Sequence, residues 1–219
     1  ACKQLLQAQR NGRLGEADVA QAALEYAAAV AAEGAGLARM GDASRHVSMV
    51  LDILTFYPVC AQVHLWGLEA IMAMFRCEEQ AFAESLAGPI LDAVTELILA
   101  HQANPEFHAG IPELPKRLLA VLALVLTPST SARLSEDLVD FSLGVACGPE
   151  VGPAAMEHAL QIFLVASSPH RLRDQAELAR TALRSMRAEP RLVPRALLTL
   201  GVTLAVAGGR RGGGGTRPE

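Results

Sequence analysis

The chain has 219 residues, 51% of them hydrophobic and only 4% aromatic, with a net charge of −4. That length is enough to bury a sizeable core, and bulk drawn from Ala, Leu and Val argues for helices and against a strand-built fold. Charge is uneven: residues 1–109 hold 6 basic and 13 acidic side chains, a balance of −7, while residues 110–219 hold 13 and 10, a balance of +3. The split predicts different partners at the two ends.

Reading in chain order, no initiating Met and no signal-peptide layout open the sequence, so either a targeting segment was removed or the chain is a fragment. Cys2, Cys60, Cys77 and Cys147 have no regular spacing. That fits free thiols in a reducing, intracellular compartment, the cytoplasm or an organelle entered with a targeting segment. The first predicted helix is "EADVAQAALEYAAAVAAEG" (16–34), followed by a Gly-bearing connection at 34–46.

From there the pattern repeats. An apolar-apolar-Asp step recurs as "VLD" (50–52), "ILD" (90–92) and "LVD" (138–140), with "LAR" (178–180) keeping the frame. Each step is followed by a more continuously apolar helix: "WGLEAIMAMF" (66–75), "KRLLAVLALVL" (116–126), "MEHALQIFLVA" (156–166) and "RALLTLGVTLA" (195–205). With Ala70, Ala120, Ala159 and Thr199 equivalent, the internal distances are 18, 28, 19 and 19 residues. One insertion, the loop "HQANPEFHAGIP" (101–112), accounts for the long one. Helix breaks are expected at Pro58, Gly88-Pro89, Thr127-Pro128, Gly148-Pro149, Ser168-Pro169 and Glu189-Pro190, because Pro cannot donate the interior amide hydrogen bond. No apolar run reaches the roughly 18 residues that a membrane span needs.

A period of about 40 residues with two longer helices per unit resembles the armadillo and HEAT repeats. The resemblance implies an all-α, right-handed α-solenoid of about four to five units. Residues 1–46 form a degenerate leading unit and connection; repeats occupy 47–87, 88–134, 135–173 and 174–207; and 208–219 is a flexible Gly/Arg tail. In such a stack the helix around 63–75 is the long third helix of a repeat, apolar because neighbouring units cover it on both sides. Gly67 and Ala70 on it would let an adjacent helix approach closely.

Peptide-binding armadillo proteins line their concave groove with Asn and Trp. The matching Asn positions here are Ala73, Ala123, Ile162 and Val202, and the matching Trp positions are Glu69, Leu119, His158 and Leu198. The ladder that grips an extended peptide is therefore missing. In its place stands a mostly apolar wall, which either receives a partner's helix or subunit or packs inside a tightly curved stack. Trp66, seven residues before Ala73, is a candidate anchor on that wall.

Chemistry-bearing residues are sparse. Cys60 and His64 share a helical spacing but no second ligand pair exists, so no metal is assigned. His101 and His108 flank the inserted loop and are candidates for partner contact. Glu136 and Asp137 suit the first turn of a helix through its dipole. Asp52, Asp92 and Asp140 suggest a ladder over successive units.

No nucleophile elbow, phosphate loop or dinucleotide fingerprint occurs, and no catalytic residue or cofactor is assigned. Arg180, Arg184, Arg187 and Arg191, spaced 4, 3 and 4, form a basic face that is solvated, meets an acidic protein, or binds RNA. Few lysines, no interleaved aromatics and a pI near 5.9 weigh against RNA. The expected function is a non-catalytic scaffold or adaptor in a larger protein complex, with RNA binding through the arginine face as the alternative.

Overall fold

The computed structural model describes residues 17–33, 43–77, 80–104, 111–127, 130–146 and 152–165, with Ala176 and Arg180. Among them the regular structure is helical: α1 (Ala17–Ala32), α2 (Ala43–Phe56), α3 (Ala61–Cys77), α4 (Gln80–Ala103), α5 (Glu113–Val125), a 3-10 turn (Ser131–Arg133), α6 (Glu136–Ala146) and α7 (Pro153–Val165). The chain divides into two compact units, residues 1–130 and 131–219.

In the first unit, two helices bury a narrow stripe and two bury an unbroken run. α2 buries Val47, Val50, Ile53 and Leu54, and α4 buries Ile90, Leu91, Val94, Leu97 and Ile98, each a stripe at the 3.6-residue period. By contrast, α3 buries every residue from Ala70 to Phe75, and α5 every residue from Leu118 to Ala123. The contacts explain the difference. α2 packs on α3 and α4 on α5, while α2 also meets α4 and α3 meets α5. α1 lies against α3, the most extensive helix pair among the described residues, and buries the small stripe Ala20, Leu24, Ala27, Ala28 and Ala31. With three helices against it, α3 keeps only a narrow polar edge, the exposed Gln62 and the half-buried Glu69. Each fully buried Leu or Ile contributes roughly 1.5–3 kcal/mol relative to exposure.

The close approach expected at Gly67 is present. A Cβ built there would sit 2.5 Å from Leu54 Cδ2 and 3.0 Å from its Cγ, so the side chain of α2 rests on the bare backbone of α3. The turn joining the two helices is held by one carbonyl. Tyr57 O accepts from Cys60 N–H at 3.2 Å and from His64 Nε2 at 2.7 Å. Pro58 stands in this turn, where a break was expected.

One expected break is wrong. α4 runs through Pro89 without interruption. Pro89 lies on an exposed side of α4, as does Ser85 one turn before it, so the missing amide falls outside the packed stripe and the helix continues. α5 stops at Val125, close to the break expected at Thr127-Pro128. The buried Thr130 hydroxyl closes it, accepting from Thr127 N–H at 2.8 Å and donating to Val125 O at 2.9 Å.

In the second unit α6 and α7 pack together, with Leu138, Val139 and Phe141 buried on the first and Ala159, Leu160, Ile162 and Phe163 buried on the second. Glu136 and Asp137 occupy the first turn of α6, as their charge favours. The repeated positions share their environments across both units. Asp52, Asp92 and Asp140 are exposed, and Ala70, Ala120 and Ala159 are buried. The proposed repeats beyond Val165 and the Gly/Arg tail lie outside the described residues, apart from Ala176 and Arg180.

Candidate functional site

Trp66, Glu69 and Ala73 fall at i, i+3 and i+7 on α3, one helical side. The structure brings all three to a single cleft of about 330 Å³, whose opposite wall is Glu25, Ala28, Ala29 and Ala32 of α1. Trp66 and Glu69 are half-buried, and Ala73 is 9% exposed. The alanines make this wall low, so the indole and the two carboxylates supply its relief and its polarity.

Glu69 is held from the other side. Arg117 of α5 brings Nε to 2.6 Å from Glu69 Oε1, linking α3 to α5. The N–H does not point along that line, so the contact is an ion pair rather than an aligned hydrogen bond. Both side chains are partly exposed, which limits the pair to about 0–1 kcal/mol of stability. Glu25 makes no ion pair or hydrogen bond among the described residues, and neither does the Trp66 indole.

Other candidate positions do not join this cleft. Ala123 and Ile162 are 1% and 0% exposed, covered by the chain's own helices. His158 is half-buried on α7. His101 is half-buried in the last turn of α4, where burial holds its pKa below the usual imidazole range. Arg180 is exposed. His108, Val202, Arg184, Arg187 and Arg191 lie outside the described residues.

Cys60 and His64 also have defined roles in local structure. Cys60 is a free, half-buried thiol. His64 is 1% exposed, and burial pushes its pKa down, opposed by its hydrogen bond to the Tyr57 carbonyl. Because a carbonyl only accepts, the neutral ring carries its proton on Nε2. Among the described residues no three His, Cys, Asp or Glu side chains cluster as a metal site would require.

Two participants escaped the sequence reading. Glu25 sits in an alanine-rich helix whose docking on α3 no periodicity reveals. Arg117 meets Glu69 across 48 residues of sequence, a pairing set by how α5 lies on α3. No protein-family model matches this chain, and no curated protein or solved structure matches it.

Proposed function

We propose that this protein is a non-catalytic, armadillo-like helical-repeat scaffold that holds other proteins in a larger assembly. The observation that carries the reading is the stacking of one hairpin on the next. α2 meets α4 and α3 meets α5, with Ala70 and Ala120 buried and Asp52 and Asp92 exposed at matching positions. Units that touch mainly their sequence neighbours build extended surfaces for partners. The free Cys60 thiol supports a reducing compartment.

Native mass measured in a gentle lysate, with and without ribonuclease, tests this. A species far above 23.1 kDa that survives ribonuclease is expected. Collapse on ribonuclease would instead favour RNA binding by the basic face that includes the exposed Arg180. A lone monomer under both conditions would overturn the assembly role.

A further inference from the structure

The α1–α3 cleft joins an aromatic ring, an uncommitted carboxylate and a floor of alanines. Its volume of about 330 Å³ is at the lower end of the roughly 300–1,000 Å³ typical of ligand pockets. That suits a side chain inserted end-on rather than a docked helix.

Its electrostatics select a cation. Helix α1 contributes Asp18 and Glu25 and no Lys or Arg, and Glu33 follows it. The one cation described beside the cleft, Arg117, is already matched to Glu69. Glu25 is thus the carboxylate left to pair. Of the two cationic side chains, Arg is planar, stacks on an indole and pairs with a carboxylate through a fixed fork of donors.

We propose that the α1–α3 cleft receives an arginine side chain from a partner protein, its guanidinium stacked on Trp66 and paired with Glu25. This deepens the scaffold reading, on which it rests, by naming the chemistry of the partner segment. The occupant is an exposed, arginine-bearing segment, and its entry excludes water from the indole face while the carboxylate neutralises its charge.

Trp66 is the single tryptophan of the chain, so its fluorescence reports on the cleft directly. The full chain is titrated at low salt with a capped Gly/Ser hexapeptide bearing one Arg, and with the same peptide bearing Lys or Gln instead. A saturable change with the Arg peptide is expected, with affinity on the order of millimolar for so few contacts. The Lys peptide should bind about 3- to 10-fold more weakly, and the Gln peptide should give no response.

Glu25 is exposed, so Glu25→Gln and Glu25→Lys should keep the helical circular dichroism of the parent chain. Glu25→Gln should weaken Arg-peptide binding about 3- to 10-fold, and Glu25→Lys should abolish it. Equal responses to Arg and Gln peptides, no saturable response, or full binding by Glu25→Lys would overturn the proposal. Equal binding of Arg and Lys peptides would overturn the guanidinium assignment. A heavy, ribonuclease-resistant native species with a silent Trp66 would sink the cleft and leave the scaffold standing. A monomer whose Trp66 responds would do the reverse.

Discussion

The α2–α3 and α4–α5 pairs carry the same repeated pattern, yet they join and contact their helices differently. Four residues connect the first pair and nine the second. With Ala70 matched to Ala120, Gly67 falls opposite Arg117 and Trp66 opposite Lys116. At Gly67 the helix backbone meets Leu54 directly, whereas Arg117 is 37% exposed and reaches Glu69 of the neighbouring pair. The repeated positions therefore set which side is buried. The position three residues earlier decides whether that helix is pressed onto its own partner or tied to the next pair.

The largest way to break this contrast is Leu54→Ala. Leu54 is 2% exposed, and its truncation should cost about 2–5 kcal/mol in urea unfolding. Gly67→Ala should cost about 1–3 kcal/mol through overpacking, offset in part by up to about 1 kcal/mol of helix propensity. Combined, the two changes should cost less than their sum, because the smaller residue at 54 vacates the space that the new methyl needs. Strict additivity in that double-mutant cycle would show that the two side chains do not compete.

On the other pair, Thr130→Val removes both hydrogen bonds that close α5 and should cost about 1–3 kcal/mol. A shift in the urea midpoint too small for that loss would mean that the helix end is closed by other groups.

The histidines sharpen the comparison through pH. Unfolded, each imidazole titrates near 6.5; folded, burial holds both His64 and His101 lower. As pH falls below about 6.5 the unfolded chain takes up protons first, so stability present above that value is lost progressively until the folded groups protonate as well. His64, the more deeply buried, should dominate. Stability measured between pH 7.5 and pH 5 should flatten more in His64→Gln than in His101→Gln, and the reverse order would contradict the placement of the two rings. The smallest effect belongs to Arg117→Ala, at most about 1 kcal/mol and shrinking with added salt.

Much of the helical layout was legible because Pro and the apolar period act locally. Pro58 and Thr127-Pro128 mark ends within a few residues, and Ala70, Ala120 and Ala159 are buried alike. Pro89 misled for a reason equally local: a proline on an exposed side of a helix is tolerated, and the sequence does not display which side faces water. That Trp66 and Ala73 share one side of α3 was legible through their spacing. Their companions were not, since Glu25 and Arg117 come from helices whose placement on α3 depends on packing rather than on any pattern within them. Burial of Ala123 and Ile162 was equally a matter of stacking, which the apolar wall alone could not decide.

Pro89 also bears on how α4 opens. The missing amide removes one rung from a 24-residue ladder and leaves a weak, exposed joint that the neighbouring rungs still bridge. Amide protons in the Ile90–Ile98 stretch, anchored by its buried stripe, should exchange with solvent as one slow block. Those before the joint have their own, separate opening, so the N-terminal turns of α4 can fray without unseating the half that packs on α2 and α5.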